Sequence, residues 1–378
     1  MKTKVFILAL ITAAIAGNFI SCNKEPNAAS SPQATVLDLP TTAYDYSIPT
    51  LNFSSGNAKA TLGRVLFYDQ HLSVNNAIAC ASCHKQGIAF SDNASSSVGY
   101  QNAITRRNTP PIQNLQTANT NDISLFWDGR AHFPDMVTKP VLSHIEMGMS
   151  DVNAIVQKVS SMPYYKELFV AAYGNYSDVI SIDNINEALT AFVQSIFSGT
   201  TRFDQFQAGT LTLTGLEEQG RQLFFNKYNC NSCHQTTEIT LGSGGGYGGG
   251  GSNGGFKDRG FVNIGLDAEY TDNGLGELSK KSSDNGKFKI PNLRNVVLTA
   301  PYMHDGRFKT LDEVFDHYSH NIQNHPNLDP KLLDSNSNPI QMNISPEERS
   351  AIIAFLGTMT DYQMISDPKF SNPFKVKL

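Results

Sequence analysis

The sequence predicts a mainly α-helical protein built from two copies of one small unit with long loops, and three observations carry that prediction. A Cys-x-x-Cys-His string occurs twice, as Cys80-Ala81-Ser82-Cys83-His84 and as Cys230-Asn231-Ser232-Cys233-His234. A related run stands ahead of each copy, Gly63-Arg64-Val65-Leu66-Phe67-Tyr68 and Gly220-Arg221-Gln222-Leu223-Phe224-Phe225, and recurrence in the same order marks an internal repeat. Each copy is then closed by a helix. In the first, Ile185, Leu189, Phe192, Val193 and Ile196 share one stripe after a cap expected at Asp183. In the second, Ser345-Pro346-Glu347-Glu348 reads as a capping box with Pro at the first helical position, ahead of Ile352, Ile353, Phe355 and Leu356.

Cys-x-x-Cys-His is the attachment signature of a c-type haem, whose vinyl groups are bound by the two thiols while the His ligates the iron. Cysteines three apart share a face of one helical turn, so the spacing suits that task. A zinc ribbon or a redox dithiol competes, but zinc sites rarely place His directly after each Cys pair, and a dithiol protein has no need of two copies. The chain has five cysteines; four lie in these strings and the fifth is Cys22, so no pair remains for a structural disulfide. The expectation is a mainly α protein of two cytochrome c-like haem domains with long loops, residues 41–200 and 201–378. The Gly-rich insertion 242–255 in the second lacks the Gly-Lys-Ser/Thr ending of a phosphate loop and reads as a flexible surface segment.

Residues 1–22 read as a lipoprotein signal peptide, with Lys2 and Lys4, a short apolar stretch from Val5 to Ala16, and Ser21 before Cys22. That stretch is shorter than the roughly twenty apolar residues of a spanning helix. Lipidation of Cys22 would anchor the protein to a membrane, at roughly 0.8 kcal/mol per buried methylene. An ordinary signal peptide with an incidental cysteine is the alternative. Residues 23–40 begin with a Ser-, Ala-, Asn- and Pro-rich run and read as a flexible tether. These features predict an exported protein of the periplasm or cell envelope. The net charge of −5, with no basic patch interleaved with aromatics, argues against a nucleic-acid partner.

Further strings make the chain resemble the bacterial di-haem cytochrome c peroxidase and MauG family over roughly residues 50–365. They are Arg107-Asn108-Thr109-Pro110, Phe126-Trp127-Asp128-Gly129-Arg130-Ala131, Glu146-Met147, and Ala300-Pro301-Tyr302-Met303-His304-Asp305-Gly306. The resemblance implies that the N-terminal haem is the peroxide site and that the C-terminal haem passes or stores electrons. His84 and His234 become the proximal ligands. Glu146 becomes the acid/base for O–O cleavage and Trp127 the electron relay between the haems. Asn108, with the carbonyls of Thr299 and Pro301, matches the family's inter-haem calcium site, and hard oxygen donors suit Ca²⁺. His304 is expected at a haem propionate or the peroxide pocket. Dimerisation is common in the family.

Three positions depart from the peroxidase pattern. The loop after the first motif carries Tyr100 where a distal His is usual, and no His occurs between His84 and His132. That predicts an open or loosely closed iron without reductive activation, with Tyr100 read as a packed loop aromatic in preference to a ligand. Met136 stands where a Gln is usual. Tyr318 occupies the place of a Met ligand at the second haem, as in MauG; a phenolate is hard and anionic and favours ferric or higher states. Met303 and His317 compete with Tyr318 for that role. His71, His132, His144, His320 and His325 receive none.

Three functions follow. The first is a peroxidase reducing hydrogen peroxide with electrons from a small donor such as cytochrome c or a cupredoxin. The second is a MauG-like oxidase that stores two oxidising equivalents across both haems and oxidises a protein or organic substrate. The third is a non-catalytic di-haem electron carrier.

Overall fold

The structure is a computed structural model describing residues 35–116, 123–234 and 260–376. The signal peptide 1–22 with Cys22, the tether up to residue 34 and the Gly-rich insertion 242–255 lie outside the described residues. Residues Leu37–Lys375 form one compact unit, mainly helical with little sheet. The helices are α1 (Asn57–Tyr68), α2 (Cys80–Cys83), α3 (Thr138–Val141), α4 (Val152–Ser161), α5 (Pro163–Tyr173), α6 (Ile182–Ser195), α7 (Arg202–Gln207), α8 (Gly215–Gln222), α9 (Leu275–Ser279), α10 (Leu311–Asp316) and α11 (Pro346–Gly357). A short antiparallel pair sets Phe261 opposite Lys289 and Val262 opposite Phe288.

The sequence repeat is a repeat of helix packing. Gly63 on α1 lies against α6 so closely that a Cβ would stand 1.9 Å from the Ala188 carbonyl oxygen and 2.8 Å from Phe192 Cβ. Gly220 on α8 lies against α11 in the same way, at 1.8 Å from the Ala351 oxygen and 2.9 Å from Phe355 Cβ. Only glycine permits such an approach, which is why both runs begin with it. The aromatic residues that follow fill the core beside the crossing. Phe67 meets Phe192 with ring centroids 5.2 Å apart, and Phe224 meets Phe355 at 5.5 Å. Two separate apolar clusters result, one centred on α1, α5 and α6, the other on the turn Leu223–Lys227 that follows α8 and on α11.

The closing helices begin with caps that satisfy their first N–H groups. On α11, Ser345 accepts from Glu348 N, Glu348 accepts from Ser345 N, and Pro346 is the first helical residue, as the sequence predicts. On α6 the cap is Ser181, whose hydroxyl accepts from Asn184 N at 3.2 Å; the expected cap, Asp183, lies inside the first turn, where a carboxylate favours the helix dipole.

The chain end returns to the first cluster. Met364 and Phe370 are buried in it, Tyr68 donates to Phe370 O at 2.6 Å, and Arg64 Nε donates to Ser371 O at 2.6 Å. The arginine of the first repeat run therefore ties down the C-terminal segment. Arg221, its counterpart in the second run, pairs with Glu218 at 2.7 Å.

Candidate functional site

Each Cys-x-x-Cys-His string forms a tight turn. In the first, Ser82 Oγ accepts from Ala79 N at 3.0 Å and Cys80 O accepts from His84 N at 2.9 Å. In the second, Cys230 O accepts from His234 N at 3.0 Å. The cysteines are unpaired and half-buried, and burial pushes the Cys80 and Cys230 thiols up to about 12. Among the described residues no group of three His, Cys, Asp or Glu side chains converges on a metal position.

The two histidines are oriented by main-chain carbonyls. His84 Nδ1 lies 2.9 Å from Phe90 O, and His234 Nδ1 lies 3.2 Å from Pro291 O. A carbonyl can only accept, so each Nδ1 carries the proton and each Nε2 is the unprotonated nitrogen, the form in which an imidazole ligates a metal. At His84 the carbonyl is aimed by a turn in which Ala89 and Phe90 both take positive φ, 50° and 58°, while fully buried. Such angles are uncommon for non-glycine residues and persist where the surroundings impose them.

A cavity of about 510 Å³ opens in front of the first motif. Cys80, Cys83 and His84 are on its wall with Trp127, Glu146 and Asn108, and much of the remaining lining is apolar, including Leu72, Ile112, Val137 and Val141. Gln113, also on the wall and 1% exposed, donates Nε2 to Arg294 O at 3.0 Å but leaves its buried Oε1 without a partner. Two thiols three residues apart, the adjacent imidazole with its proton on Nδ1, and largely apolar walls fit a covalently held haem.

Glu146 is half-buried. Burial raises its carboxyl above the ordinary value of 4.5, while the Arg130 guanidinium, 3.6 Å away, acts in the opposite direction. Met136 lies on the same wall and offers no strong hydrogen-bonding group. Tyr100 is not a wall residue. Its ring packs over Gly148, its N–H points at the carbonyls of Ile145 and Glu146, both at 2.9 Å, and its hydroxyl accepts from Gln101 at 3.1 Å. The residue that does border the cavity there is Gly99, at which a Cβ would stand 2.0 Å from Ile145 O.

Trp127 borders the cavity and donates Nε1 to Asn108 O at 2.9 Å. Its own carbonyl accepts from Lys289 N at 2.8 Å, and two residues further on Pro291 O meets the His234 ring. One short stretch of backbone thus joins Trp127 to the second motif. Asn108 ties the region together: its N–H donates to His304 O at 2.8 Å and its side-chain amide to Ala94 O at 2.9 Å. These bonds bring Asn108 against the segment that contains buried Thr299 and Pro301.

His304 is held by an aromatic contact. It is 4% exposed, is not on the cavity wall, and stacks on Phe288 with centroids 3.6 Å apart and planes 14° from parallel. Burial pushes its pKa down to about 4. Sequence reasoning could not see this, because Phe288 comes from a distant strand.

Tyr318 sits in a π-helical turn, His317–Asn321, that continues α10; such turns are common at functional sites. Burial is the main cause raising its phenol, and the Cys230 and Cys233 thiols act in the same direction. Of the competing candidates, His317 has its Nε2 2.9 Å from Ile264 O and is committed there. Met303 takes φ 74° in the turn closed by Gly306 N to Met303 O. Among the unassigned histidines, His71 pairs with Asp69, His132 Nδ1 meets Ile123 O, His325 meets Asn263, and His144 and His320 are exposed.

Three residues with a bearing on the site carried no role in the sequence reading. Arg107 pairs with Asp272 from a loop far away in sequence, Arg130 reaches Glu146 across a change of chain direction, and Phe90 acts through its backbone, which its side chain does not advertise. No helix among the described residues is long and apolar enough to cross a membrane.

Residues 57–212 match the profile of the family described as di-haem cytochrome c peroxidase. The methylamine utilization protein MauG of Methylorubrum extorquens is 31% identical over 305 residues, covering 80% of this chain and 78% of that protein. The cytochrome c551 peroxidase of Nitrosomonas europaea is 29% identical over 322 residues, covering 83% and 82%. A solved MauG-like protein associated with microbial copper homeostasis superposes with a TM-score of 0.70 at 32% identity, covering 89% of this chain and 98% of the other. On this similarity, and with both attachment turns in place, the chain belongs to the di-haem cytochrome c peroxidase family, c-type haem oxidoreductases that act on peroxide and that include MauG.

Proposed function

We propose that the protein reduces hydrogen peroxide with electrons from a small redox protein, cytochrome c or a cupredoxin, in the periplasm or cell envelope. The observation that carries this reading is the meeting of His84, Glu146 and Trp127 on one cavity wall, from which Tyr100 is packed away. When bound, the two haems supply an iron at which peroxide reacts and a second iron that delivers electrons to it. Cys80 and Cys83 tether the first haem and Cys230 and Cys233 the second, while His84 and His234 ligate through Nε2. Glu146 takes the proton from the near oxygen of peroxide and returns it to the far one, a role suited to a carboxyl with a raised pKa. Trp127, hydrogen-bonded to Asn108, is the electron relay between the two haems in this reading.

Tyr318 is the second-haem ligand in this reading, and Asn108 with the Thr299 and Pro301 carbonyls forms part of a Ca²⁺ shell completed by water. Each haem unit is a cytochrome c-like domain, residues 41–200 and 201–378. Lipidated Cys22 anchors the protein to the membrane, and a homodimer is in keeping with the family.

A second reading, a MauG-like oxidase acting on a protein or organic substrate, is favoured by Tyr318 and by the similarity to MauG. A pure electron carrier is disfavoured, because it has no use for a half-buried carboxyl on an accessible cavity. Steady peroxide-dependent oxidation of reduced cytochrome c tests the first reading. Its absence, alongside a long-lived spectral change after peroxide is added, selects the second.

A further inference from the structure

We propose that Arg130 is a positioning residue for Glu146, holding its carboxylate at the cavity wall, and that Asp128 and Phe126 fix Arg130 for that task. The inference deepens the peroxide reading and rests on it. Arg130 ends a tight loop closed by Leu125 N donating to Ala131 O at 2.7 Å. Within that loop Phe126 takes φ 67° and Gly129 φ 75°, which folds the Arg130 guanidinium over the Phe126 ring, 3.8 Å from its centroid. Arg130 Nη1 donates to Asp128 Oδ1 at 3.0 Å, and Nη2 lies 3.6 Å from Glu146 Oε1. A guanidinium stacked and hydrogen-bonded in this way has lost most of its rotameric freedom before it meets Glu146.

Asp128 is itself gripped from the other side. Arg107, 9% exposed at its side chain, pairs with Asp128 and forks onto Asp272 at 2.7 Å and 2.8 Å. Five groups of alternating sign therefore run Asp272, Arg107, Asp128, Arg130, Glu146. The row ends at the carboxylate that faces the cavity.

Other groups face Glu146 as well. Helix α2 presents the Cys80 and Cys83 thiols, the Tyr100 N–H meets the Glu146 carbonyl, and the rest of the cavity wall carries Arg106, Lys139, Glu277 and Lys289. Lys289 donates to Ser124 O, and Arg107 is held by its two aspartates. Arg130 is the cation within ion-pair distance of Glu146 among the described residues. Because a guanidinium does not give up its proton, Arg130 supplies charge and orientation and leaves proton transfer to Glu146.

The test compares the haem-loaded protein with Arg130→Gln, Arg130→Lys and Glu146→Gln. It reads the pH profile of the peroxide reaction and, on the resting protein without peroxide, the infrared titration of the Glu146 carboxyl identified by its loss in Glu146→Gln. Arg130→Gln is expected to move both midpoints upward by about one pH unit, and to lower the plateau rate about tenfold or more through a misplaced carboxylate. Arg130→Lys is expected to recover the midpoint but not the plateau, since an ammonium keeps the charge and loses the fork. Unmoved midpoints in Arg130→Gln, with Glu146→Gln still inactive, would overturn the inference and leave the peroxide reading standing. Wild-type reactivity in Glu146→Gln would overturn both.

Discussion

Gly63 and Ala188 are in such close backbone contact that a single added methyl at Gly63 would stand 1.9 Å from the Ala188 oxygen. The Gly220 and Ala351 pair repeats the contact at 1.8 Å. These two crossings set the α1 and α6 pair and the α8 and α11 pair, and through them the start of each haem-attachment segment.

Gly63→Ala and Gly220→Ala should each destabilise the protein by about 1–3 kcal/mol or more, the cost of overpacking a close-packed contact. Gly87, where an added Cβ would meet nothing within 4 Å, is the control, and Gly87→Ala should change stability by no more than about 0.5 kcal/mol. Chemical denaturation midpoints of the three variants measure this. Equal midpoints would remove the packing explanation of the repeat.

His304 predicts an acid-labile fold. Its folded pKa, about 4, lies below the 6.5 of an unfolded histidine, so protons bind the unfolded chain more readily between those values. The His304 contribution is complete above pH ~6.5 and is lost as pH falls toward 4, by up to about 3 kcal/mol. His304→Phe keeps a ring to stack on Phe288 and cannot titrate, so its stability should fall less steeply over that window. A parallel slope in the variant would contradict the assignment.

Glu146 predicts the acid limb of the peroxide reaction. The base form must be ionised to take a proton, so the rate should fall as pH drops through the Glu146 pKa, which burial sets above 4.5. Glu146→Gln should slow the reaction by about 10²–10⁴ and remove the limb. Stopped-flow rates against pH decide this; a limb that survives the substitution belongs to another group.

Tyr318→Met exchanges a hard anionic donor for a soft neutral one that favours ferrous iron. The potential of the second haem should rise by on the order of 100 mV, within the ~0.8 V range that axial ligands span. A redox titration followed by absorption spectroscopy measures it. An unchanged potential would refute Tyr318 as the ligand.

Haem attachment was legible in the sequence because covalent chemistry fixes residue type and spacing together, and the repeat was legible because the same close crossing demands glycine twice. The α11 capping box was equally plain, since Ser345, Pro346 and Glu348 each have one local task. What escaped were relations made by the backbone or by distant loops. Phe90 and Pro291 orient the histidines through carbonyls that every residue possesses. The stacking of His304 on Phe288 and the row from Asp272 to Glu146 join segments that only the tertiary fold brings together. The α6 cap was misplaced by two residues because Ser181 and Asp183 both suit a helix start, one through its hydroxyl and the other through its charge.

The most direct test of the central claim is to mix the as-isolated ferric protein, verified at two covalent haems per chain, with one equivalent of hydrogen peroxide and follow the Soret band. An iron left open beside Glu146 predicts a rapid change without prior reduction. A Soret band that stays unchanged until an electron donor is supplied would contradict it.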